Sequence, residues 1–255
     1  MSTKQSNPKV EICAYSLISV LSAEKGRAHR VELCASPWEG GTTPSSGLVR
    51  SALELSTIEI HAMLRPRGGD FCYSQLEKDT MKFELEELLR LGVHGVVVGA
   101  LLPNGDPDVA FLREIKQLAG STSVTCHRAI DVARDTLGMV EVLADLGFQR
   151  ILSSGQKNQA LDGLETLASM VQIANQRIEI MAGSGVNSKN CLEFIKIGCN
   201  AVHLSARKVV PGQMEYRKPG ISMGGVEAVS EFDVFFSDEA EIRATVYKVD
   251  SSHSS

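Results

Sequence analysis

VEICA at residues 10–14 and VELCA at 31–35 each set a carboxylate and a thiol two residues apart between apolar neighbours. On a β-strand, residues two apart share a face, so Glu11 goes with Cys13 and Glu32 with Cys34. The apolar residues between them take the other face. A carboxylate turned into a protein interior is costly unless it is paired or has a chemical task.

Further along, RPRGGDF at 65–71 carries Arg65 and Arg67 on either side of a proline that stiffens their spacing. A guanidinium there suits a carboxylate or phosphate, which its planar fork grips at two points. HRAID at 127–131 sets His127, a candidate general base or ligand, beside Arg128 and Asp131, a candidate for orienting it. Three short segments read as anion loops: SSG at 153–155, AGSGV at 182–186 and SAR at 205–207. In them Gly155, Gly183, Ser184, Gly185 and Ser205 are candidates for holding phosphate or another anion. The reason is that a glycine-rich turn before a helix leaves backbone N–H groups free.

These residues need elements to position them, and the chain supplies a regular series. Strand-like apolar runs occur at 10–14, 30–34, 58–64, 95–100, 122–127, 150–153, 178–182 and 201–205. Helical spacing lies between them, for example Met81, Leu85, Leu88 and Leu89. Gly26, Gly92, Gly147 and Gly198 follow helical stretches and precede every second strand, which suggests left-handed C-caps. Alternating β and α imply a parallel sheet. Eight units in 255 residues predict a closed (β/α)8 TIM-type barrel, an open doubly wound sheet being the alternative. One barrel domain is expected over 10–248, including a C-terminal extension at 206–248, with flexible ends at 1–9 and 249–255. In a barrel the alternation turns Glu11, Cys13, Glu32, Cys34, His61, Met63, Arg65, Thr125, His127, Glu179, Met181, His203 and Ser205 inward. Arg65 and Arg67 are the expected partners of Glu11 and Glu32.

Composition narrows the function. A net charge of −5 argues against phosphate-driven nucleic-acid binding. No run has the apolar length of a membrane span, and the first residues lack a signal-peptide core. A cytoplasmic location is expected, with the six cysteines as free thiols.

VEICA, RVELCAS, EGGTTPS, RPRGGDF, HRAID, SSG, GSG and HLSAR, in this order over about residues 10–218, resemble the CutC copper homeostasis proteins. The resemblance implies a TIM-type barrel, a cytoplasmic homo-oligomer, and copper(I) held by the cysteines of the first two strands, here Cys13 and Cys34. Copper(I) is soft and favours such donors, with Met63, Met181 and His61 as further candidates, whereas Glu11 and Glu32 are hard oxygen ligands. Ile130 and Ala182 depart from the family pattern, where an aromatic residue and a proline are common.

A second reading is an enzyme acting on a small phosphorylated or carboxylated substrate. In it Glu11, Glu32 or His127 move protons, Arg65 and Arg67 hold charge, and the glycine loops bind phosphate. No G-x-S-x-G or HExxH motif names a reaction. A third reading is an interaction surface on the extension, with its apolar FDVFF run at 232–236.

Overall fold

The computed structural model describes residues 7–218, 220–221, 230 and 232–252. The eight apolar runs form β1 (Lys9–Ala14), β2 (Arg30–Leu33), β3 (Glu59–Met63), β4 (Gly95–Val98), β5 (Ser123–Cys126), β6 (Arg150–Ser153), β7 (Glu179–Gly183) and β8 (Ala201–Leu204). Neighbouring strands are parallel, and β1 pairs with both β2 and β8, so the sheet closes into a barrel.

Between the strands run α1 (Leu17–Lys25), α2 (Ser46–Leu55), α3 (Gln75–Leu91), α4 (Val109–Ala119), α5 (Thr136–Asp145), α6 (Leu164–Ala174) and α7 (Cys191–Lys196). The start of α3 shows how locally such helices are specified. The Ser74 hydroxyl accepts from the Glu77 amide while the Glu77 carboxylate accepts from that of Ser74, a reciprocal capping box. Met81, Leu85 and Leu88 then face the core at helical spacing.

Alternation sorts the strands as predicted. Val10, Ile12, Val31, Leu33, Ile60 and Ala62 pack outward with the helices in one large core. Inside the barrel, two small apolar groups remain: Cys13, Cys34, Met63 and Val97, then Leu152, Met181 and Ala201. Strand tilt puts the twin pentapeptides out of step by two residues. Glu11 stands opposite Arg30, and Cys13 stands opposite Glu32.

The described residues of 206–248 include an arm and most of a closing helix. The arm pairs β9 (Arg207–Pro211) antiparallel with β10 (Asp233–Ser237), and α8 (Glu239–Ser251) follows. Phe235 of the arm meets Tyr15 and Trp38 edge-on, at 6.0 and 5.6 Å between ring centroids. The Arg207 guanidinium lies over both Trp38 and Phe235. The apolar run therefore covers the barrel mouth beside β1.

Two expectations need correction. Gly92, Gly147 and Gly198 are left-handed, but Gly26 has φ −72° and the left-handed residue is Arg27. Space decides Gly26, because a Cβ there would lie 2.5 Å from the Ile242 side chain of α8. The ends are also more ordered than expected where they are described. Lys9 belongs to β1, and α8 runs through Ser251 with Val249 fully buried. Residues 1–6 and 253–255 of those expected flexible ends lie outside the described residues.

Candidate functional site

Glu11 and Glu32 enter the lumen from adjacent strands, and their surroundings drive them apart. Burial works to raise the Glu11 carboxyl, but the ion pair with Arg30 and the hydrogen bond from His203 overcome it, holding it well below the usual range. His203 Nδ1 lies 2.8 Å from Glu11 Oε1, and its Nε2 lies 3.7 Å from Glu32 Oε2. Burial alone would discharge this histidine; Glu32, Cys13 and Glu11 outweigh it and keep it charged. Burial pushes the Glu32 carboxyl well above the usual range, outweighing His203, which works to lower it. Its Oε1 has no hydrogen-bond partner.

The cation pairing Glu11 is thus Arg30, where Arg65 and Arg67 were expected. Arg30 stands two residues before Glu32 and so shares its inward face, a signal present in the alternation of β2. Below this level, Arg150 adds an ion pair to Glu179 at 2.8 Å and a hydrogen bond to Thr125 at 3.1 Å. Burial, then Arg30, holds His61 down at about 3, so the ring is neutral.

The sulfurs lie just above. The Cys34 thiol donates to Glu32 Oε2 at 3.5 Å and lies against Cys13. That neighbouring thiol, followed by His203, holds Cys13 well below the usual thiol range, whereas burial pushes Cys34 well above it. Cys13 Sγ, a Glu32 oxygen and a His203 nitrogen all fall within 4.8 Å of one another.

A cavity of about 120 Å³ opens over this group at the C-terminal ends of the strands. Cys13, Tyr15, Glu32, Met63 and His203 line it together with Arg65, Phe71, His127 and Arg128. Arg65 is 5% exposed and donates to the backbone carbonyls of Glu39, Gly41 and Gly69. Burial, followed by Arg65, holds His127 at about 3. Its Nδ1 accepts from the Ala129 amide at 3.1 Å, and its buried Nε2 has no partner.

Other candidates stand apart from the cavity. Arg67 pairs with Asp70 and Glu77 on the surface. Asp131 does not orient His127; it accepts from Ser153 Oγ, both Ser154 donors and the Gln156 amide, and pairs with Arg128. The amides around Gly155 therefore already hold a carboxylate from the chain itself. The turn after β7 is similarly filled. Glu241 of α8 takes the Ser188 amide and hydroxyl, and Ser184 Oγ donates to the Asn158 carbonyl. A Cβ on Gly185 would collide with Gln159, and Ser205 lies partly exposed just after β8. Gly183 is buried in β7, where a Cβ would lie 2.5 Å from the Leu152 side chain. Long-range contacts, invisible in local motifs, thus place Asp131 on the amides either side of Gly155 and Glu241 on Ser188, just past the turn after β7.

The model of the CutC family matches residues 8–208. The chain belongs to the CutC family. A CutC family protein of Parabacteroides distasonis is 44% identical over 93% of this chain and 98% of its own length. One from Bacteroides fragilis is 42% identical over 95% and 97%. Among solved structures, a candidate copper homeostasis protein, CutC from Streptococcus agalactiae, superposes with a TM-score of 0.74 at 32% identity. It covers 78% of this chain and 98% of that one. A thiamine phosphate pyrophosphorylase from Pyrococcus furiosus, at 15% identity and a TM-score of 0.59, shares the barrel fold alone. In this CutC chain the family match ends at Arg207 and Lys208, where the arm begins. Two residues of the site carried no assigned role in the sequence reading: Tyr15, which lines the mouth, and His203, which bridges the two carboxyl groups.

Proposed function

We propose that this CutC family protein binds copper(I) inside the barrel, with Cys13 and Cys34 as its principal ligands. The observation that carries this reading is the grouping of Cys13, Cys34 and Met63, with His203 at its edge, in one lumen layer. Thiolate, thioether and imidazole are the donors a soft monovalent ion favours. Glu32 is a hard donor, but burial pushes its carboxyl well above the usual range and so disfavours its competing charge. Cys13 is the sulfur readiest to ionise, and Cys34 gives up its proton to solvent as metal binds. Six free cysteines suit a reducing compartment, the cytoplasm. The exposed Val209 and Val234 of the arm suit contact with another copy of the chain. Titration of copper(I) against a competing chelator under reducing conditions tests the site. One tightly held ion per chain is expected in wild type, and none in Cys13→Ser/Cys34→Ser. Unchanged stoichiometry in that variant defeats the reading.

A second reading, an enzyme of acid–base type, is favoured by the divergence of two carboxyl groups bridged by one histidine. Glu32, held protonated at the cavity, is placed to give a proton, and Cys13 to accept one. Incubation with 2-oxo and 2-hydroxy acids in D2O should exchange a carbon-bound proton, and Glu32→Gln should abolish it. No exchange in any of these acids counts against the reading.

A further inference from the structure

We propose that the mouth cavity binds a small monocarboxylate, with its oxygens held by Arg65 and by Nε2 of His127. This rests on the second reading above, that the cavity is a substrate site, and names the class of substrate.

Charge is the first argument. Arg65 is buried, and among the described residues it forms no salt bridge. Its three hydrogen bonds go to backbone carbonyls through Nη1 and Nη2, and its buried Nε lies beside the Tyr73 hydroxyl, which leaves one Nη2 N–H for a ligand. A buried cation without a counter-anion is unfavourable, and an anion in the adjoining cavity completes it.

Tautomer and orientation are the second. Because His127 Nδ1 accepts a backbone N–H, the neutral ring carries its proton on Nε2. That donor is buried without an acceptor. The Nδ1–Cε1 edge is pressed on Gly99, where a Cβ would come within 2.6 Å of both atoms. His127 lines the cavity, and Nε2 is its ring nitrogen without a hydrogen-bond partner among the described residues. Phe71 fixes the two donors on one wall, with the His127 ring 4.9 Å from its own and the Arg65 guanidinium 4.9 Å above it.

Size and valence choose the ligand. The cavity, about 120 Å³, is well below the roughly 300–1,000 Å³ that hold drug-sized molecules, so nucleotides and coenzymes do not fit. One uncompensated cation and one neutral donor match a single negative charge, rather than the −1.5 to −2 of a phosphate monoester, roughly. Arg128 at the rim is already committed to Asp131. Cys13 and Glu32 line the same cavity, within reach of the substituent of such a carboxylate.

The test uses acetate, propionate, lactate and pyruvate as probes, with inorganic phosphate for comparison. Calorimetry gives affinity, and NMR of 15N-histidine-labelled protein follows the His127 Nε2–H signal. The acids are expected to bind and shift that signal, phosphate to do neither. Arg65→Met and His127→Phe should each weaken binding by about tenfold or more, as loss of a charge-assisted hydrogen bond does. Should Arg65→Met fail to fold, the His127 signal of the wild type still decides. Binding without proton transfer to or from the probes leaves the site standing and defeats the enzyme reading. Proton transfer with affinities indifferent to both replacements defeats the site and spares that reading. No binding by any acid, or tighter binding of phosphate, overturns the proposal.

Discussion

The guanidinium of Arg30 binds the carboxylate of Glu11 within the barrel, and both side chains are fully buried. Removing one partner leaves the other charge in a low-dielectric interior, whereas removing both leaves neither. Arg30→Met is therefore expected to destabilise the fold by ~3–5 kcal/mol. Glu11→Leu/Arg30→Met should recover much of that loss. Urea denaturation of the single and double variants checks it, and equal losses in both would remove the coupling.

The buried neutral histidines predict how stability responds to acid. His61 and His127 are both held at about 3 in the folded chain, against an ordinary 6.5. Between these values the unfolded chain binds protons that the folded one does not. Their contribution is complete above pH 6.5 and is lost as pH falls toward 3. Glu11, held low, acts in the same direction below 4.5. Glu32, held high, opposes: its contribution is complete below 4.5 and lost as pH rises through its folded value. His127→Phe should flatten the acid side of the profile. Urea midpoints measured across this range test it, and an unchanged slope would remove His127 from the account.

Phe235 controls approach to the site from the arm side, since it packs on Tyr15, which lines the cavity above Cys13. Phe235→Ala should raise the rate of Cys13 alkylation by iodoacetamide several-fold, read by mass spectrometry. Cys199, buried and pushed up to about 12, serves as the internal standard that should not change. Equal Cys13 rates in the two proteins would mean that the arm does not cover the site.

Asp131 takes the place that a bound anion has in many barrels, gathering the donors of Ser153, Ser154 and Gln156. Asp131→Ala should cost ~1–3 kcal/mol by leaving those donors unpaired. The same variant should gain thermal stability from inorganic phosphate where wild type gains none. Equal phosphate responses in both proteins would show that the cradle does not take anions.

Periodicity alone determined that this chain is a (β/α)8 barrel and which strand residues face inward, because a period of two along a strand is a local property. The placement of Glu11, Cys13, Glu32, Cys34, His61 and His203 in the lumen follows from it. Neighbours around the barrel are a matter of stagger, which no local pattern carries. Register set Cys13 against Glu32, and Arg30 against Glu11, which the matching pentapeptides by themselves do not specify. Long-range packing likewise decided what the motif residues do. It turned Arg65 to backbone carbonyls at a cavity, sent Arg67 to the surface, and set the Asp131 carboxylate on the SSG loop and that of Glu241 on Ser188. A short motif states which donors and charges are available; only the folded chain determines which of them its own residues consume.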